Sequence, residues 1–122
     1  MNIVIVDNDQ AILRSLGLLM DSKGHDTTVF ADPRGALLHV SRGNPVDVLL
    51  LDYSMPEMNG DKLLAMLKPK LARGCRIIMM SAHNDLRHQL DLEHLGIGAL
   101  LGKPIEYSEL EDALTAQSGG MG

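Results

Sequence analysis

Four short apolar runs in this chain each end in residues able to do polar chemistry. Ile3-Val4-Ile5-Val6 is followed by Asp7, Asn8 and Asp9. Val48-Leu49-Leu50-Leu51 is followed by Asp52, with Tyr53 and Ser54 next. Ile77-Ile78-Met79-Met80 leads to Ser81, Ala82 and His83, and Ala99-Leu100-Leu101 leads to Lys103 and Pro104. Taken singly these have ordinary explanations, since Asp and Ser often cap the next helix and Lys is usually a solvated charge. Acids, a hydroxyl and an ammonium at four equivalent positions are harder to dismiss. Together they can bind or transform an anionic group, provided the fold brings the four run ends to one rim.

The elements between these residues predict such a rim. β-branched and aliphatic runs of three to six residues read as strands buried on both faces. Strands are expected at 3–6, 27–30, 46–51, 77–80 and 99–101. Between them, Ile12, Leu13, Leu16, Leu19 and Met20 follow helical spacing over 10–21, with Gly24 as the stop. Asp32-Pro33 gives an N-cap and a first-turn proline for a helix reaching Gly43. A third helix starts near Gly60, carries Leu63, Leu64 and Leu67, and should end or kink at Pro69. A fourth is expected over 85–95. Ser108 with Glu111 forms a capping-box signature for the fifth. Alternating strands and helices imply a parallel sheet covered on both faces. In such a sheet ligands bind beyond the carboxyl ends of the strands.

Composition narrows the classes. A chain of 122 residues is one domain's worth. A net charge of −5 argues against a basic field that grips nucleic acid or anionic lipid. With 2% aromatic residues (Phe30, Tyr53 and Tyr107) there is little for base stacking, and the core must be aliphatic. No apolar run is long enough to span a bilayer, and the first residues run straight into a strand without a cleavable leader. A lone Cys75 removes any intrachain disulfide framework, so a cytoplasmic setting is expected. Cys75 should pack as a small hydrophobe. His25, His39, His88 and His94 lack the spacing of a shared metal site.

These run ends carry a resemblance. Ile-Val-Asp-Asn-Asp at 5–9, Val-Leu-Leu-Leu-Asp-Tyr-Ser-Met-Pro-Glu-Met-Asn-Gly at 48–60, Ile-Ile-Met-Met-Ser-Ala at 77–82 and Leu-Leu-Gly-Lys-Pro at 100–104 resemble the receiver domain of two-component response regulators. The likeness extends from about residue 3 to 114. It implies a flavodoxin-like α/β three-layer sandwich, with five parallel strands in the order 2-1-3-4-5 and five helices. The receiver would occupy 1–117, with 118–122 a flexible tail or the start of a linker. It also implies phosphoryl transfer from a histidine kinase or histidine phosphotransfer protein to Asp52, self-catalysed rather than the work of an enzyme proper. Mg²⁺ would be held by Asp7, Asn8, Asp52 and the Ser54 carbonyl. Ser81, Ala82 and Lys103 would contact the phosphoryl group. A downstream partner would read the face made by helix 4, strand 5 and helix 5, with no direct role for nucleic acid or membrane. The resemblance places a cis peptide before Pro104 as well.

Two positions depart from the family pattern. The second acid after strand one is Asn8 here, which removes one negative charge from the ion's surroundings and predicts weaker Mg²⁺ binding. Asp9 is expected to face the start of helix one, where its charge suits the helix N-terminus. The usual strand-five aromatic is Leu100, and the usual Phe after Lys-Pro is Ile105, so coupling through an aromatic rotamer should be altered. His83 sits where the family tunes acyl-phosphate lifetime, and an imidazole there could make that lifetime depend on pH. Three rivals are a pseudo-receiver that binds a partner without phosphorylation, a haloacid-dehalogenase-type phosphatase with Asp7 as nucleophile and Asp9 as acid/base, and a flavodoxin. Against the last, an acidic first loop would repel a flavin phosphate.

Overall fold

The computed structural model describes residues 1–82 and 91–115. The expectations for His83, for His88, for the first part of the fourth helix and for the tail at 118–122 lie outside those residues. Five strands, β1 (Asn2–Val6), β2 (Asp26–Phe30), β3 (Val48–Asp52), β4 (Arg76–Ser81) and β5 (Ala99–Gly102), alternate with five helices. These are α1 (Gln10–Ser22), α2 (Pro33–Ser41), α3 (Gly60–Leu67), α4 (Leu92–Leu95) and α5 (Tyr107–Thr115). All strand pairs are parallel and the order is β2-β1-β3-β4-β5, as the resemblance implied. None of the described helices is long and apolar enough to cross a membrane.

Alternation along the strands sorts their side chains into two cores. Val4, Val6, Leu49, Leu51, Ile77 and Met79 face one way and pack with Ala36 and Val40 of α2 and with Leu63, Leu64 and Leu67 of α3. Ile3, Ile5, Val48, Leu50, Ile78 and Met80 face the other way and meet Leu13, Leu16 and Met20 of α1 and Leu110, Ala113 and Leu114 of α5. β3 is buried at all five positions. That explains its uninterrupted hydrophobic sequence, because a strand with helices on both sides has no wet face.

Local chemistry sets the helix ends. The Asp9 carboxylate accepts the N–H groups of Ala11 and Ile12 at 2.9 and 3.3 Å, capping α1. Asp32 accepts the Arg34 N–H at 2.9 Å and caps α2, with Pro33 at its first position. Pro69 lies in a single 3₁₀ turn (Lys68–Lys70) into which α3 tightens before it ends. β3 begins at Val48 instead of Val46, and two helix starts differ from expectation. α5 starts at Tyr107, and Leu110 N–H donates to the Glu106 carbonyl at 3.1 Å, so Ser108 lies inside the first turn instead of capping it. The fourth helix does not run unbroken through 85–95 either. Asp91 is extended and its side chain accepts the His94 N–H at 3.1 Å, giving the short α4 its own start.

Burial ranks the consequences of truncation. Leu50 is fully buried between the helical layers, whereas Leu38 on α2 is 51% exposed. Urea denaturation of Leu50→Ala should show a loss of about 2–5 kcal/mol, and Leu38→Ala a change within about 0.5 kcal/mol.

Candidate functional site

Strand register brings the polar run ends to one level. Val6 pairs with Leu51, so Asp7 and Asp52, the residues that follow them, emerge side by side from the two central strands. Asp52 in turn pairs with Met80, the residue before Ser81. Ser81 pairs with Gly102, which puts Lys103 one step beyond the end of β5. Backbone bonds continue the ladders past the strand ends. Tyr53 N–H donates to the Met80 carbonyl at 2.8 Å, Lys103 N–H to the Ser81 carbonyl at 2.8 Å, and Asp7 N–H to the Phe30 carbonyl at 3.1 Å. Four residues spread over 96 sequence positions thus share one rim through ordinary parallel pairing.

Asp7 is fully buried, and Asp52 and Ser81 are each 3% exposed. Lys103 Nζ lies 2.7 Å from Asp7 Oδ2 and 3.1 Å from Asp52 Oδ1, bridging both carboxylates. The other Asp7 oxygen accepts the Asp9 N–H at 2.9 Å. At such separations a single charge pair is worth on the order of 5 kcal/mol at an effective dielectric near 20, before desolvation is subtracted. Burial, and next the charge of Asp7, push the Asp52 carboxyl above its ordinary range; Lys103 and the Ser54 N–H pull the other way without cancelling this. Burial alone would lower the Lys103 pKa, but the hydrogen bonds and charges of Asp7 and Asp52 carry it above its ordinary value. Two carboxylates and one ammonium leave the cluster with a surplus of negative charge.

The remaining expected residues divide by position. Asn8 is exposed beside Asp7, and Ser54 is exposed two residues after Asp52. The exposed Ala82 follows Ser81 at the rim. The Lys103–Pro104 peptide is cis. Leu100 is half-buried and packs against the core shared with α2 and α3, while Ile105 packs against the opposite core. The Asp9 carboxylate is engaged in capping α1. Cys75 is half-buried against the first core, and His39 stacks near Phe30 with ring centroids 5.3 Å apart. Among the described residues no group of three or more His, Cys, Asp or Glu gathers closely enough to hold a metal. A cation at this rim would therefore need carbonyl or amide oxygens beside the two carboxylates.

One residue that shapes the site was missed as such. A Cβ on Gly60 would collide with the Asp52 carbonyl oxygen and lie 2.9 Å from Tyr53 Cα and 3.0 Å from Met79 Sδ. Its N–H donates to the Tyr53 carbonyl at 2.6 Å. α3 therefore begins in direct contact with the backbone that carries Asp52. The Asn-Gly ending of the 48–60 motif was the available signal, but a glycine before a helix reads equally well as a turn residue.

This fold and rim are those of a known class. The sequence matches the response regulator receiver domain family over residues 3–115, and the chain belongs to that family. It is 30% identical over 117 residues to the transcriptional regulatory protein GlrR of Escherichia coli K12, covering 93% of this chain and 26% of that one. It is also 30% identical over 112 residues to the sporulation initiation phosphotransferase F of Bacillus subtilis, covering 92% and 89%. The chain spans about a quarter of the first relative and nearly all of the second. The receiver domain of a Francisella response regulator superposes with a TM-score of 0.79 at 26% identity, covering 93% of this chain and 92% of that one.

The sign of the Asp52 shift predicts a pH-dependent stability. A carboxyl whose folded pKa is raised destabilises the fold fully above that folded pKa, and the effect fades as pH falls to the unfolded value near 3.9. In metal-free buffer at neutral pH, Asp52→Asn should therefore raise Tm, by about 4 °C for each kcal/mol relieved. The gain should shrink as the pH is lowered toward 4. A Tm gain that stays constant across that range would contradict the assignment.

Proposed function

We propose that Asp52 is the phosphoacceptor of this receiver domain, taking a phosphoryl group from the phosphohistidine of a sensor histidine kinase or histidine phosphotransfer protein. The observation that carries this reading is Asp52 at the end of the central strand, buried and within 3.1 Å of the Lys103 ammonium. In the transfer an Asp52 carboxylate oxygen forms a bond to phosphorus as the histidine N–P bond breaks. The electron pair of that bond leaves on the imidazole nitrogen, and the product is an acyl phosphate. An anionic nucleophile attacking an anionic group needs positive charge and hydrogen-bond donors already in place. Lys103 supplies a compact cation there, and Ser81, at the end of the neighbouring strand, brings a hydroxyl. The small Ala82 keeps the approach open.

The donor chemistry also fits Mg²⁺, a hard ion that takes oxygen ligands. Asp7, Asp52, the Ser54 carbonyl and the Asn8 amide oxygen are the groups that would hold it. When bound, the ion supplies the positive charge that offsets repulsion between Asp52 and the incoming phosphoryl group. Asn8 contributes no charge to that set, so affinity for the ion should be lower than with a third carboxylate. Leu100 and Ile105 offer no ring to turn inward. Coupling of Ser81 to the α4–β5–α5 face, where Tyr107 is 41% exposed, then runs without an aromatic rotamer. That face is the one we assign to the downstream partner. The phosphatase alternative is disfavoured because it needs Asp9 free as an acid/base, and that carboxylate is spent on the N–H groups of α1. A pseudo-receiver is disfavoured by Asp52, Ser81 and Lys103 standing together at the rim.

Incubation with a small phosphodonor and Mg²⁺ should label the wild-type chain with an acid-stable, base-labile phosphate, and Asp52→Ala should abolish the label. Absence of labelling at high Mg²⁺ would point to the pseudo-receiver. Asn8→Asp should tighten Mg²⁺ binding about tenfold, corresponding to roughly 1.4 kcal/mol of recovered attraction. Isothermal titration of the two proteins with Mg²⁺ measures the ratio, and equal or weaker binding by the variant would refute the role given to Asn8.

A further inference from the structure

At the opposite pole of the sheet, charge is distributed against the trend of the whole chain. The protein carries a net −5, yet Lys68, Lys70, Arg73 and Arg76 fall within nine residues that contain no acid. Lys68, Lys70 and Arg73 are exposed. The side-chain ion pairs found among the described residues belong to Lys23, Arg34 and Lys103, so these three charges are not spent on neighbouring carboxylates. Arg76 lies along Gly98 and is not counted here.

Two of these cations line a concavity instead of a flat surface. Lys68 and Arg73 border a pocket of about 320 Å³ whose walls include Leu71, Ala72, Cys75 and Gly96. That volume is at the lower end of small-molecule sites. No carboxylate is among its described lining residues. The Lys68 ammonium rests against Gly96, the left-handed residue that closes α4, and occupies the space a Cβ there would fill. A side chain at position 96 would push the charge out of the pocket wall. Burial, and next the charge of Asp47, push the Cys75 thiol up to about 11, so it stays neutral and adds no repulsion. Asp47 itself accepts the Asn2 N–H at 2.7 Å.

We infer that this pocket binds a compact polyanion bearing phosphoryl or carboxylate groups, with its charge between Lys68 and Arg73 and any aliphatic portion on Leu71 and Ala72. Among the described residues the lining holds no aromatic side chain, so charge and not ring stacking is the grip these residues offer. The site is separate from the Asp52 rim and does not depend on phosphorylation. It is at the amino end of β4, whereas Asp52, Ser81 and Lys103 lie at the carboxyl ends.

Cys75 is the chain's single cysteine and reports on this pocket from within it. The rate of its alkylation is measured on the metal-free protein at fixed ionic strength, with inorganic pyrophosphate in one arm and citrate in the other. Two semi-exposed cations should give a Kd of about 1 mM, so a few millimolar of either anion should slow alkylation about threefold. Lys68→Gln combined with Arg73→Gln should remove the protection while leaving Tm unchanged, since both side chains are on the surface. Loss of protection in that double variant bears the inference out, and the stronger of the two anions identifies the head group. Equal alkylation rates with and without both anions overturn it. So does protection that survives in the double variant.

Discussion

The structure turns on one ammonium group placed between two buried carboxylates. Asp7 and Asp52 leave adjacent central strands at the same level, and both are buried, Asp52 keeping only a narrow opening at the rim. Unpaired, each would face a desolvation penalty of several kcal/mol, and each would raise the cost of the other. Lys103 relieves both, and it can do so only because β5 ends one residue short of the same rim and a backbone bond to Ser81 fixes its start. The strand order, the register of four parallel pairs and the termination of β5 are thus all conditions of a single electrostatic arrangement.

That arrangement is the costly part of a fold that is otherwise inexpensive to build. The two aliphatic cores gain from burial with little directional demand, and Leu, Ile, Val and Met fill them without polar atoms to satisfy. The rim, in contrast, holds Asp52 where burial and the charge of Asp7 disfavour its ionised form. A charged group that the fold does not favour is one that an incoming positive charge can stabilise. The energy the cluster withholds from folding is therefore available to whatever binds there.

Much of this was legible in the residues. The buried strands announced themselves as unbroken aliphatic runs, and the polar residue after each run pointed to one rim. Asp9 and Asp32 each precede helical periodicity and do cap the helices that follow. Features that depend on spatial neighbours were less legible. Ser108 with Glu111 satisfies the local pattern of a capping box, but α5 begins at Tyr107, two residues before the start such a cap would give, with Leu110, Ala113 and Leu114 seated on the sheet. The expected helix ran through Asp91, whose extended backbone and side-chain bond to the His94 N–H instead make it the cap of α4. The double engagement of Lys103 could not be read from spacing, because its two partners lie 96 and 51 positions earlier in the chain. The steric demand on Gly60 was hidden for the same reason.

The contact at Gly60 has an implication for how this domain can vary. The peptide of Tyr53 and the first peptide of α3 are clasped by a 2.6 Å hydrogen bond, and the six residues between them close a ring whose circumference is thereby set. Met55 is fixed by its burial in the core, but exposed side chains of the ring such as Pro56 and Glu57 can be exchanged with limited effect on its ends. Inserting or deleting a residue would open the clasp or drag the Asp52 backbone with it. The loop beside the acidic rim is constrained in its length far more than in its composition.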